Sequence, residues 1–429
     1  MTDRDDNDEL SRRTFLQASA AGAAVGALAS RQMAAAETTE LRVGLVGCGG
    51  RGTGAAVQAL CADPGARLTA MADAFSDRLE ASLATITAAR PDQVNVAEAG
   101  RFVGFDACAD LLASGVDVVL LATPPGFRPA HLKAAVDAGK HVFCEKPVAV
   151  DAPGIRSVYE TVEEARRRKL SLVSGFCWRY SDAERETFRR IAKGAIGDVL
   201  AVHSCYNTGP IWVRERAAEW SEMEYQMRNW YYFTWLSGDH IVEQAVHSID
   251  KMCWAMGGRT PTSATASGGR QVRTGAEYGH IFDHFGVRYE YADGAMGFHN
   301  CRQQEGCSMA VQDRLVGSKG TAFIDGGNRN EIRRGRKLWR YEAEANDMYQ
   351  AEHDALFASI RAGRPINDGV SMTNSTLMAL LGRMSAYTGR TVTWAEALES
   401  EEDLTPPSYS WDVEMPHVAV ARPGETRFV

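Results

Sequence analysis

The sequence predicts an α/β protein built on a doubly wound parallel sheet, and three observations carry that expectation. Short apolar, β-branched runs alternate with helix-length stretches over residues 41–150, the element order that places helices on both faces of a parallel sheet. The first run enters a glycine-rich turn, Gly47-Cys48-Gly49-Gly50-Arg51-Gly52, directly. The second run closes on Asp73, about 20 residues beyond the glycines, the spacing of a dinucleotide-binding βαβ unit.

Taken in order, Leu41-Arg42-Val43-Gly44-Leu45-Val46 reads as the first strand and Thr53 to Cys61 as the helix after the turn. Gly47 permits the tight turn, Gly49 and Gly50 let backbone approach a diphosphate, Arg51 lies beside it, and Gly52 lets the helix pack close to the strand. The diphosphate then sits at the helix N-terminus. The next strand, Ala66 to Ala72, ends in Asp73, whose carboxylate suits the adenosine ribose hydroxyls. An acid there favours NAD over NADP, and Arg78 nearby keeps NADP open. Val116 to Thr123 is a continuous apolar run expected of a strand buried on both faces. It leads through Pro124-Pro125-Gly126 to a helix from about Pro129 to Ala138. Lys140 to Cys144 is a further strand, ending in Glu145-Lys146-Pro147. Pro147 biases Lys146 towards extended backbone, and ligands of such sheets lie beyond the carboxyl ends of the strands. An ammonium at that place can orient a reacting hydroxyl.

Before the sheet, Ser11-Arg12-Arg13-Thr14-Phe15-Leu16 precedes an apolar run to Ser30 and then Ala34-Ala35-Ala36. This is the layout of a twin-arginine export signal, with cleavage after Ala36, use of the twin-arginine translocase and a periplasmic or extracytoplasmic destination. The run falls short of the roughly 20 residues of a membrane span, so no stable membrane insertion is expected after cleavage. Removing residues 1–36 changes the formal net charge only from −8 to −7. No basic block points to nucleic acid. With 45% apolar residues in 429, about two domains with proper cores are expected. Nine scattered cysteines lack paired or metal-site spacing and read as mostly buried thiols. No set of His, Asp and Glu has metal-ligand spacing, so no metal is expected.

The glycine turn, Thr123-Pro124-Pro125 with His131, and Ala138-Gly139-Lys140-His141-Val142-Phe143-Cys144-Glu145-Lys146-Pro147 together resemble the Gfo/Idh/MocA family. The likeness resumes at Gly175-Phe176-Cys177-Trp178-Arg179-Tyr180, at Gly194 to Val199, at Val316 to Thr321 and at Tyr387 to Trp394. It implies an N-terminal NAD(P)-binding Rossmann domain and a C-terminal α/β domain with a large open mixed or antiparallel sheet. The expected division is a signal at 1–36, the Rossmann domain at 37–160, a substrate and oligomerisation domain at 161–405, and an arm at 406–429 lying over a neighbouring subunit of a homodimer or homotetramer. The resemblance further implies that Thr123, Pro124, His131, Glu145 and Lys146 border the cofactor, and that Lys146 is catalytic.

The family's second catalytic element, an acid and a histidine four residues apart on one helix, is matched by Glu243 and His247. Positions i and i+4 share a helical face, and a histidine titrating near neutrality can take a hydroxyl proton. Many members have Asp where this chain has Glu243; His240 and Asp250 fall near the same stripe. Ahead of it lie Trp212, Trp220, Tyr225, Trp230, Tyr231, Tyr232 and Trp235, interleaved with Asn207, Arg214, Arg216 and Arg228. Aromatic faces beside polar forks suit a carbohydrate, and Arg179, Tyr180, Asn207, Trp230, Tyr232 and His240 are the candidate substrate contacts. His280, His284, His299 and Arg302 are further cleft candidates. The expected activity is hydride transfer on a sugar, polyol or sugar derivative with a retained nicotinamide. A redox-neutral glycosidase or epimerase using transient oxidation is the alternative, and a non-catalytic sugar- or nucleotide-binding protein is the second.

Overall fold

A computed structural model of the chain describes residues 39–326 and 329–429; the export-signal segment lies outside the described residues. Strand β1 (Leu41–Val46) pairs in parallel with β2 (Ala66–Asp73) on one side and β4 (Val118–Leu121) on the other. With β3 (Arg101–Val103), β5 (His141–Cys144) and β6 (Leu172–Ser174) the sheet order is β3-β2-β1-β4-β5-β6. The order reverses between β1 and β4, which opens a crevice beyond their carboxyl ends. β3 and β6 are three residues each, too short to show a period, which is why pattern reading passed over them.

Alternate residues of each strand feed different cores. Val43, Leu45, Leu68, Leu120 and Phe143 pack on one face, while Val46, Ala70, Val119, Leu121 and Val142 pack on the other. A sheet covered on both sides needs apolar residues at every position, hence the unbroken run in β4. Each fully buried valine or leucine contributes about 1.5–3 kcal/mol of transfer free energy. The first core also receives Leu356 and Phe357 from the Met348–Arg361 helix, so the chain returns to the first sheet late in its course.

The second sheet has nine strands, from β7 (Val199–Thr208), β8 (Ser263–Gly269), β9 (His284–Glu290), β10 (Met296–Gln303), β11 (Ala310–Gly317), β12 (Thr321–Asp325), β13 (Arg329–Arg334), β14 (Lys337–Arg340) and β15 (Val392–Thr393). Their order is β14-β13-β12-β11-β7-β10-β9-β8-β15, with β7 and β10 parallel and the other pairs antiparallel. The sheet is mixed. The helices Val246–Ala255 and Gly369–Thr388 belong to the core beneath it, and Leu200, Phe298 and Val316 lie exposed on strands of the sheet. The Gly369–Thr388 helix ends on Gly389 at φ +73°, the usual left-handed helix stop.

The C-terminal segment has a defined course. Residues beyond Pro406 pack in part on their own chain. Trp411 lies 4.6 Å from Phe105 and 5.4 Å from Phe75 between ring centroids, and Gly424 N–H donates to the Thr388 carbonyl at 2.9 Å. Aromatic side chains spaced two apart, Tyr409 and Trp411, find apolar partners on the first sheet's loops, and this settles the tail's course.

Candidate active site

At the carboxyl ends of β1, β2 and β4 lies a cavity of about 570 Å³. Its floor is the glycine turn. Gly47 has φ +95°, and a Cβ there would stand 2.6 Å from the Ala122 carbonyl carbon. A Cβ on Gly52 would stand 1.9 Å from the Gly47 carbonyl oxygen, whereas one on Gly50 would meet nothing within 4 Å. The N-terminus of the Gly50–Ala62 helix therefore opens into free space, with no side-chain cap and no acid in its first turn. Its free N–H groups and positive dipole end suit a diphosphate.

Asp73 closes β2 with its carboxylate accepting from the Cys48 N–H at 2.6 Å and the Phe75 N–H at 2.9 Å. Burial pushes its pKa up and these two bonds oppose that. A carboxylate has about four acceptor positions, so room remains for ribose hydroxyls. Arg78 and Arg214 also line the cavity and have no carboxylate partner within ion-pair distance among the described residues, so a dianionic ligand meets positive charge. The residues present thus fit a nicotinamide dinucleotide: a glycine cradle for its diphosphate and an acid for its ribose.

The remaining predicted cofactor neighbours have defined places. Arg51 lines the cavity, but its guanidinium is held by Glu145, by Gln58 at 2.9 Å and by Glu352 at 3.2 Å. It acts through Glu145, whose other oxygen accepts from the Lys146 N–H at 3.1 Å. Thr123 Oγ1 lies 3.2 Å from His131 Nδ1, and burial, with Arg128 nearby, brings that imidazole down to about 4. Arg128 donates to the Thr123 carbonyl at 2.7 Å and to the Pro147 carbonyl, which ties the β4 loop, with Pro124, to the Lys146 turn.

Lys146, Glu243 and His247 meet on this cavity. Lys146 Nζ donates to the Glu243 carbonyl at 2.6 Å and to its Oε1 at 3.1 Å. The continuous helix expected to carry Glu243 and His247 is broken: one helix spans His240–Glu243 and the next Val246–Ala255. The His240 carbonyl accepts from both Gln244 N–H and Ala245 N–H at 3.0 Å, so the ladder slips by one residue. Gln244, also on the cavity, is drawn aside by Gln303. The start of the element is fixed by Asp239, at φ +78°, whose carboxylate takes N–H bonds from His240 and Phe282 and the Tyr387 hydroxyl. A non-glycine residue there is strained and persists only when neighbours hold it.

His247 is flanked by Trp178 at 5.2 Å and Phe176 at 5.9 Å. Burial, then the charges of Lys146, Lys251 and Arg51, holds the imidazole well below its ordinary value, so it is neutral at physiological pH. Its Nδ1 is buried and has no hydrogen-bond partner among the described residues, while the partly exposed ring borders the cavity. A neutral imidazole edge on a cavity wall fits a ligand hydroxyl.

Of the six candidate substrate contacts, Trp230 lines the cavity. The other five are placed elsewhere by their own hydrogen bonds. Arg179 is clamped to Asp250 at 2.8 Å, Tyr180 hydroxyl donates to Asp368 at 2.7 Å, and His240 Nδ1 meets Asp239 at 2.9 Å. Tyr232 hydroxyl donates to the Trp212 carbonyl at 3.0 Å, and Asn207 lies 3.4 Å from Asn300 on the open sheet. Nor do His280, His284, His299 and Arg302 border the cavity; they bond to Thr234, Asp283, Ser204 and the Ser308 carbonyl. Sequence reasoning missed Tyr206, Tyr349, Phe105 and Phe127 as wall residues. Tyr349 comes from the returning helix, its ring 5.2 Å from the Arg51 guanidinium, and no local pattern announces such a visit.

Residues 41–173 match the family model described as an oxidoreductase family with an NAD-binding Rossmann fold, and residues 185–323 match the GFO/IDH/MocA C-terminal domain. Residues 9–29 match the twin-arginine translocation signal model. An inositol 2-dehydrogenase of Saccharopolyspora erythraea is 29% identical over 66% of this chain and 73% of its own length. A glycosyl hydrolase family 109 protein of Shewanella amazonensis is 31% identical over 46% of each chain. The chain spans about half the length of several curated relatives it matches. The fold is shared with the aldose-aldose oxidoreductase of Caulobacter crescentus, at TM-score 0.65 and 19% identity over 82% of this chain and 99% of that one. No helix among the described residues is long and apolar enough to cross a membrane.

Proposed function

The chain belongs to the Gfo/Idh/MocA family of NAD-binding oxidoreductases, and from that premise we propose that it is an exported enzyme that oxidises a sugar or polyol hydroxyl with a retained NAD. The observation that carries the reading is the meeting of Lys146, Glu243 and His247 on the wall of the cavity that holds the glycine cradle. Bound nicotinamide supplies the hydride acceptor.

The chain's own residues supply the rest. An ammonium has three N–H donors; Lys146 spends two on Glu243, which leaves one for the substrate oxygen. Glu243 thereby fixes the direction of the ammonium. His247, neutral and with its ring on the cavity wall, takes the hydroxyl proton as the carbon loses hydride, and Lys146 stabilises the oxygen as it gains carbonyl character. Trp230 and Trp212 wall the same space and offer aromatic faces to a sugar ring. The twin-arginine signal supports a periplasmic or extracytoplasmic destination, where no free NAD pool exists. A cofactor loaded before export and kept through a closed cycle follows, in which a second sugar takes the hydride from the reduced cofactor and restores NAD for the next turnover. The exposed Leu200, Phe298 and Val316 on the second sheet support a homodimer or homotetramer through that face.

The likeness to a glycosyl hydrolase family 109 protein supports a second reading, in which hydride returns to the same carbon after elimination. One experiment separates them: mature protein is denatured and its NAD(H) counted, then intact protein is offered sugars, polyols and glycosides. Near-stoichiometric NAD with a ketone product supports net oxidation, and aglycone release with no change in NADH supports the neutral cycle. Replacement of Lys146 by Ala is expected to lower either rate about 10²–10⁴-fold with NAD still bound; an undiminished rate removes Lys146 from the mechanism.

A further inference from the structure

The three loops that follow Asp73, β3 and β4 each put a phenylalanine on the cavity wall: Phe75, Phe105 and Phe127. All three are covered from outside by one segment of the C-terminal tail. Trp411 packs on Phe75 and Phe105, and Tyr409 packs on Phe127 at 5.4 Å and on Phe105 at 6.0 Å. Val413 and Met415 join the same apolar cluster. We propose that residues 404–415 are a clasp that holds these loops closed around the adenosine half of the bound dinucleotide, so that cofactor leaves only when the tail lifts. The inference deepens the retained-cofactor reading and rests on it.

The adenosine half is the occupant because Asp73, whose carboxylate accepts the Phe75 N–H and keeps acceptor positions for ribose hydroxyls, is two residues from Phe75. The segment is built to move as a unit. It is pinned at one end by the Leu404 N–H on Asp151 at 3.0 Å, and at the other by the Gly424 N–H on the Thr388 carbonyl at 2.9 Å. Between Pro406 and Val420 the backbone hydrogen bonds among the described residues are local, such as Val413 N–H to the Ser410 carbonyl. Apolar side chains hold the middle, and Tyr409 remains 42% exposed. A stretch with few backbone bonds to the body and exposed side chains opens at low free-energy cost. Phe75 is gripped on another side by Arg228, 4.1 Å above its ring and paired to Asp77, so the tail is the movable wall.

The test uses mature protein with NAD bound. In the Tyr409→Ala/Trp411→Ala variant, dissociation of bound nucleotide into excess competitor is expected to be at least tenfold faster than in the parent, about 1.4 kcal/mol, with Trp411→Phe close to the parent. A folded variant that releases at the parental rate overturns the clasp. Because coupling is reciprocal, NAD must also hold the tail: added NAD is expected to slow protease cleavage within residues 404–415 of the unmodified protein, and cleavage insensitive to NAD overturns the proposal even where the double variant does not fold. If the parent is purified without nucleotide, the retained-cofactor reading fails on its own. The clasp is then tested by added NAD: a double variant binding at least tenfold more weakly supports it, and equal affinity overturns it.

Discussion

Replacing Gly52 by Ala tests the link between backbone packing and cofactor binding. The new Cβ would stand 1.9 Å from the Gly47 carbonyl oxygen and 3.2 Å from the Ala122 Cβ, and the first of these is backbone, which cannot swing away. Ordinary contact begins near 3.4 Å, so the helix must retreat from the strand by about 1.5 Å or the Gly47 turn must reopen. Overpacking of that kind costs about 1–3 kcal/mol of stability. The larger effect falls on NAD, because the N–H groups at the start of the Gly50–Ala62 helix move by half a hydrogen-bond length from the diphosphate. Affinity is expected to fall about a hundredfold, or ~2.7 kcal/mol. Gly54, in the same helix, is the control: its Cβ would lie 3.6 Å from Arg51 Nη1, and Gly54→Ala is expected to gain up to about 1 kcal/mol. Calorimetric titration with NAD and thermal melts of both variants read the outcome. A Gly52→Ala protein that binds NAD within threefold of the parent refutes the argument that close approach of helix and strand creates the site.

Three further outcomes follow from particular residues. Asp73→Asn removes the charge that disfavours a 2′-phosphate while leaving Arg78 in place, so the ratio of NADP to NAD affinity should rise about tenfold; an unchanged ratio in paired titrations excludes Asp73 from cofactor choice. Burial holds His131 and His280 at about 4 and His299 at about 3, against about 6.5 unfolded. These folded values are depressed, so the unfolded chain binds more protons between them, and stability is full above about pH 6.5 and lost on acidification. At about 1.4 kcal/mol per unit per group, Tm should fall steeply from pH 7 to 5, and a flat Tm there contradicts the buried neutral imidazoles. Finally, the nine cysteines are free, seven buried and Cys61 and Cys307 exposed; a thiol reagent should label two rapidly in the native protein and nine after unfolding, and a shortfall of two in the second count reveals a disulfide.

What the sequence determined is whatever neighbouring residues decide among themselves. The glycine turn, Asp73 at a strand end and the Glu145-Lys146-Pro147 corner are local: a φ of +95° at Gly47 or a proline after Lys146 dictates backbone whatever the rest of the chain does. The parallel sheet was legible for the same reason, since burial on both faces demands unbroken apolar runs such as Val118–Leu121. What only the tertiary structure decided is which polar and aromatic groups face the cavity. An apolar period cannot report the one-residue slip at Gln244, because Glu243 and His247 reach the same wall with or without it. Tyr232 and Trp230 look alike in sequence, yet one hydroxyl is satisfied inside by a backbone carbonyl and the other ring borders the ligand space. Glu243 meets Lys146 across 97 positions, Arg51 meets Glu352 across 301, and Trp411 reaches Phe75 from the far end of the chain. Such contacts depend on how the two sheets and the returning helix pack, a sum over the whole core that no short window of sequence contains.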